Sequence, residues 1–113
     1  MHELAIAESI VETCLPIARQ AGARKILEIR MSIGVLSGVI LPSLEEALLH
    51  LTKGTIAEGA VLVVRTLPIR VRCRSCGAES EIERRTFVCP RCGSEELRIT
   101  GGREYYVDDL KVE

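Results

Sequence analysis

From Leu4 onward, Leu4, Ala7, Val11, Cys14, Leu15 and Ala18 recur at steps of three and four residues. That period places them on one face of a helix, predicted over 4–21. Glu8 and Glu12 near its start and Arg19 near its end suit the helix dipole, and Gly22 is placed to close it. Pro16 removes the bond to the Glu12 carbonyl and predicts a kink. The period then falls to two. Over Lys25 to Ile33, Leu27, Ile29, Met31 and Ile33 alternate with Glu28, Arg30 and Ser32, which predicts a strand with one buried face. Gly34 and Gly38 interrupt this pattern. Ser43-Leu44-Glu45-Glu46, just after Pro42, reads as a capping box that opens a second helix at Ser43. Leu44, Ala47, Leu48 and Leu51 form its apolar stripe, and Gly54 ends it. Thr55 to Gly59 reads as a turn. The β-branched run Val61 to Leu67 predicts a second strand, bounded by Pro68.

From Ile69 the texture changes. Residues 73–113 hold four of the five cysteines and no long amphipathic pattern. Tyr105 to Val112 reads as a closing strand that the cysteine segment does not need. These elements predict an α+β fold. Two helices pack on a small three-stranded sheet made of Lys25–Ile33, Val61–Leu67 and the C-terminal strand, with a cysteine module inserted as an excursion. The predicted division is 1–68 plus 101–113 for the α+β domain and 69–100 for the module.

The 113 residues suffice for one ordinary domain, or a small domain with a satellite. Hydrophobic residues make up 47% and aromatics only 3%, so aliphatic side chains must build the core. Fifteen Lys+Arg against sixteen Asp+Glu leave a net charge of −1. That argues against a partner with a phosphate backbone, which demands a basic excess. No stretch approaches the ~18 apolar residues of a bilayer span. The start, His2-Glu3, lacks the basic region of a secretory signal, so a cytoplasmic protein with reduced cysteines is expected.

Cys73-x-x-Cys76 and Cys89-x-x-Cys92 each precede a glycine, Gly77 and Gly93. In such a knuckle a tight turn presents two thiolates to one metal, and the glycine takes the positive φ of the turn. Four thiolates on Zn²⁺ leave a formal charge of −2, which Arg74, Arg84, Arg85 and Arg91 are near enough in sequence to offset. A closed four-cysteine site has no open coordination position, so its zinc is expected to be structural. Its binding would supply the folding free energy of a small module. Two disulfides, or iron in a rubredoxin-like carrier, are the competing readings. The shortage of aromatics around the knuckles speaks against iron.

His2 follows Met1 directly. The bulk of histidine predicts that Met1 is retained. The α-amine of Met1, the His2 imidazole and the intervening amides can then close fused chelate rings on square-planar Ni(II) or Cu(II), and Glu3 adds a carboxylate. An incidental surface histidine at a frayed end is the plainer alternative for three such residues. His50, among leucines of the second helix, reads as a partly buried or rim histidine. Cys14 reads as a small core hydrophobe. No phosphate loop, nucleophilic triad or dinucleotide fingerprint is present, and no carboxylates are paired for acid–base work, so no enzyme is indicated.

Met1-His2-Glu3-Leu4 followed by Ser9-Ile10-Val11, together with Gly34-Val35-Leu36-Ser37-Gly38, Gly54-Thr55-Ile56-Ala57-Glu58-Gly59-Ala60 and the two knuckles, resembles the HypA/HybF family of hydrogenase nickel-incorporation proteins. The likeness runs essentially from residue 1 to 113. It implies a non-catalytic metallochaperone. Carried onto this chain, Met1, His2 and Glu3 would bind transferable nickel, and Cys73, Cys76, Cys89 and Cys92 would hold structural zinc. The implied partners are a HypB-type GTPase and the hydrogenase large-subunit precursor, with no nucleic acid and no membrane. Monomer and homodimer both stay open. One departure stands out. Many relatives carry an acidic residue just after the Ser-Gly of the loop, whereas here the stretch is Gly38-Val39-Ile40-Leu41-Pro42. Any further oxygen ligand must then come from elsewhere, from water or a partner. Outside the resemblance, the competing function is a zinc-ribbon module for protein or nucleic-acid interaction, with Arg84, Arg85 and Phe87 as its contacts.

Overall fold

The computed structural model describes residues 2–113. Two helices and six strands alternate along the chain: α1 (Glu3–Gln20), β1 (Ile26–Gly34), α2 (Leu41–Leu51), β2 (Val61–Leu67), β3 (Ile69–Cys73), β4 (Glu79–Ile82), β5 (Leu97–Gly101) and β6 (Tyr105–Val112). The strands form two three-stranded sheets, ordered β2-β1-β6 and β4-β3-β5. The fold is the predicted α+β, and the closing strand returns to the first sheet.

The chain divides into two compact units. One runs through Met31 and adds Gly38–Arg65 and Tyr106–Glu113; the other joins Ser32–Ser37 to Thr66–Tyr105. In the first unit α1 packs on α2. α1 buries Ile6, Ala7, Ile10, Cys14, Leu15 and Ala18, continues through Pro16, and closes where the Gly22 and Ala23 N–H groups donate to Arg19 and Ala18 carbonyls. Leu4, expected on this face, is 55% exposed. The face begins one turn later because the three- and four-residue steps run through Ile6, Ile10 and Cys14 equally well.

β1 holds the predicted register. Ile29, Met31 and Ile33 are buried and Arg30 is exposed. Ile26, not assigned to that face, is fully buried, while Leu27 is only half-buried. α2 starts at Leu41, two residues before the predicted Ser43, with Ile40 as N-cap and Pro42 in the first turn. The capping box is therefore not the start signal. Proline's fixed φ and missing N–H fit a first turn as well as the position before one. Leu44 and Leu48 are buried as the stripe predicts.

The second unit is small. β3 pairs antiparallel with β4 and β5, with Val71 opposite Ser80 and Ile99. Its core is Ile69, Val71 and Ile82, against which Val35, Leu36, Leu97 and Ile99 pack. Residues 32–37 join this unit through the backbone. The Val35 N–H donates to the Leu67 carbonyl at 3.0 Å, and the Leu36 N–H to the Gly102 carbonyl at 2.7 Å.

Candidate metal centre

Each knuckle repeats one backbone pattern. The Gly77 N–H donates to the Cys73 carbonyl at 2.9 Å, and the Gly93 N–H to the Cys89 carbonyl at 2.8 Å. The Cys73 N–H reaches the Ala78 carbonyl at 2.9 Å, and the Cys89 N–H the Ser94 carbonyl at 2.8 Å. Gly77 and Gly93 both have φ of 76°, as the turn requires. β3 ends in Cys73, so the sheet fixes the first knuckle. The Arg74 N–H donates to the Glu96 carbonyl at 2.8 Å, and the Ser75 and Ser94 hydroxyls meet at 2.9 Å, so the two knuckles are held together.

Four sulfurs converge as a result. Cys73 Sγ lies 3.6 Å from Cys92 Sγ, and Cys76 Sγ lies 3.6 Å from Cys89 Sγ, with all four within 4.8 Å of one another. A tetrahedron with Zn–S bonds of about 2.3 Å has S···S edges of roughly 3.8 Å. The cluster thus matches a tetrahedral thiolate site, and no cysteine is in a disulfide. Cys73 and Cys89 are buried, whereas Cys76 and Cys92 are exposed.

The electrostatics are those of a set waiting for a cation. The Cys76 N–H, 3.5 Å from Cys73 Sγ, leads the contacts that pull the Cys73 thiol down to about 6. The Cys92 and Arg91 N–H groups likewise lower Cys89. Cys92 goes the other way. The Ser94 N–H favours its thiolate, but the neighbouring Cys73, burial and the other two sulfurs together push it up to about 12. Knuckle amides can stabilise some negative charge here, and the last proton leaves only when a metal replaces it. Of the arginines expected to offset the thiolates, Arg84 is engaged elsewhere, with its guanidinium donating to the Val35 carbonyl at 2.7 Å.

The N-terminal candidates lie apart from the sulfur cluster in sequence and in unit. Met1 is outside the described residues. His2 is exposed at the N-cap of α1, and its side chain makes no capping bond. Glu3, the first helical residue, is half-buried. Its Oε2 accepts the Ile40 N–H at 3.1 Å, the leading cause that lowers its carboxyl below the usual range. That Ile40 contact had no sequence signal, because a backbone N–H looks the same at every residue. His50 is exposed on the last turn of α2, and Cys14 is buried with its thiol pushed up by burial. Among the described residues, the four cysteines form the one group of three or more metal-binding side chains.

A family model described as "Hydrogenase/urease nickel incorporation, metallochaperone, hypA" matches residues 1–112. The chain belongs to the HypA family. "Hydrogenase maturation factor HypA" of Geobacter metallireducens is 39% identical over 113 residues, covering 100% of both chains. The protein of the same name from Aquifex aeolicus is 36% identical over 113 residues, covering 100% of this chain and 98% of its own. Two solved structures share the fold at 23% identity. One is the solution structure of the Ni metallochaperone HypA from Helicobacter pylori, with TM-score 0.69, covering 99% of this chain and 97% of that one. The other is titled as the solution structure of HypA protein, with TM-score 0.74, covering 100% and 97%. The family thus established is one of nickel metallochaperones for hydrogenase maturation. No helix among the described residues is long and apolar enough to cross a membrane.

Proposed function

We propose that this chain is a non-catalytic nickel carrier. It binds Ni(II) at its first three residues, Met1, His2 and Glu3, and delivers it for maturation of a nickel–iron hydrogenase. Cys73, Cys76, Cys89 and Cys92 hold a structural Zn(II) that takes no part in the traffic, because a closed thiolate tetrahedron has no vacant position. The receiving partners are a HypB-type GTPase and the hydrogenase large-subunit precursor, in the cytoplasm. The observation that carries this reading is the family match across residues 1–112. The exposed, uncapped imidazole of His2 supports it.

The chemistry fits a cargo site. An α-amine, an amide nitrogen and an imidazole select nickel by geometry and donor type rather than by raw affinity. A chain end exchanges ligands readily because few packing contacts hold it. His2→Ala removes the best neutral donor. A residue added before Met1 moves the α-amine out of the chelate. Calorimetry should show tight 1:1 nickel binding by the untagged chain and none by either variant, with zinc content and thermal stability nearly unchanged. If all three bind nickel alike, the metal sits at His50 or at the cysteines instead.

A further inference from the structure

The N-terminus of α2 is capped from outside its own sequence. Its N-cap residue, Ile40, has no side-chain oxygen, and no side-chain cap bond forms there. The Ile40 N–H is nonetheless satisfied by Glu3 Oε2 at 3.1 Å, a contact that spans 37 residues of chain. It ties the first helical residue of α1 to the residue that opens α2. Both lie in the same compact unit. His2 is adjacent to Glu3, and its carbonyl accepts the Ile6 N–H at 3.2 Å. The backbone of His2 is thereby held on one side by the α1 ladder and next to a residue anchored on α2.

Resting on the nickel reading above, we propose that Glu3 serves that site as a positioning residue rather than as a ligand. Through the Ile40 N–H it pins the start of α1 to the start of α2, and so fixes where His2 presents its imidazole. The chelate chemistry points the same way. The Met1 amine, the His2 amide nitrogen and the His2 imidazole close small fused rings on one metal. The Glu3 carboxylate would have to close a ring of roughly ten atoms back to the His2 amide, with the larger closure entropy of a longer loop. One of its oxygens is already committed to an amide donor. Groups that orient a metal ligand from outside its coordination shell commonly alter affinity 10- to 100-fold, roughly, when removed.

The test uses the untagged, zinc-loaded full chain with Ni²⁺ alone as probe. Glu3→Gln keeps a carbonyl oxygen for the Ile40 N–H but cannot act as an anionic ligand; Glu3→Ala removes both. Glu3→Ala should weaken nickel binding about 10-fold or more, and Glu3→Gln should restore it to within about 3-fold of wild type. The nickel d–d absorption band should be unchanged in both. The Ile40 amide should exchange slowly in wild type and in Glu3→Gln, and fast in Glu3→Ala. If Glu3→Gln loses affinity as far as Glu3→Ala and its band shifts, Glu3 is a ligand and the proposal fails. Wild-type affinity in Glu3→Ala overturns it as well. His2→Ala separates the two readings: wild-type nickel binding in that variant removes the N-terminal site itself, whatever Glu3 does.

Discussion

Gly34→Ala is the sharpest probe of how segment 32–37 is held. Gly34 is buried at the end of β1, and a Cβ built there falls on the Gly102 carbonyl, well inside van der Waals contact, and 3.0 Å from the Arg103 nitrogen. Both neighbours are backbone, so no flexible side chain can yield. The Gly102 carbonyl also accepts the Leu36 N–H at 2.7 Å, and the Gly34 N–H donates to the Glu104 carbonyl at 2.8 Å. Separating the two strands strains these bonds together. Overpacking of this kind costs about 1–3 kcal/mol. A weakened backbone bond adds about 1 kcal/mol. A total of ~3 kcal/mol is expected. With an unfolding entropy of about 2.1 cal/mol/K per residue, a chain of 113 residues then loses ~13 °C in Tm. Thermal unfolding followed by circular dichroism, on zinc-loaded protein at equal concentration, measures this. A loss below about 3 °C would show that the Gly34–Gly102 approach relaxes freely, and the backbone-contact argument would be refuted.

The remaining predictions concern the metal and the core. Cys→Ser at any one of the four ligand positions should abolish amide protection over roughly 69–100 and leave α1 protected, because the second unit buries only Ile69, Val71 and Ile82 as its apolar centre; uniform loss across the chain would show one cooperative unit instead. Zinc loading should release fewer protons above pH 6 than below it, since Cys73, at about 6, is already a thiolate there, while Cys92, at about 12, always gives up its proton to the metal. Calorimetry in buffers of different ionisation enthalpy counts them, and a count that stays constant from about pH 5 to about pH 7.5 would contradict this assignment. Leu44→Ala should cost about 2–5 kcal/mol, because Leu44 is fully buried on α2, while Leu49→Ala, at a position 58% exposed, should cost less than about 0.5 kcal/mol. Denaturant unfolding of the pair would show whether the two faces of α2 are assigned correctly.

Much of the site was legible because its geometry is local. A Cys-x-x-Cys-Gly segment closes its own turn with its own backbone, so two such segments declare a four-thiolate site by spacing alone. The strands Val61–Leu67 and Tyr105–Val112 were legible for a similar reason, since β-branched and aromatic runs bounded by Pro68 and Gly102 leave little choice of period. The structure alone decided matters that depend on backbone groups meeting across the chain. α2 begins at Leu41 rather than Ser43, with the Ile40 N–H satisfied by Glu3 from 37 residues away. Ser32–Ser37 joins the cysteine-bearing unit because the Val35 and Leu36 N–H groups find the Leu67 and Gly102 carbonyls. Side-chain period is written in residue identity and can be read. A peptide N–H or C=O is nearly the same at every position, so which one it pairs with emerges only when distant segments are brought together.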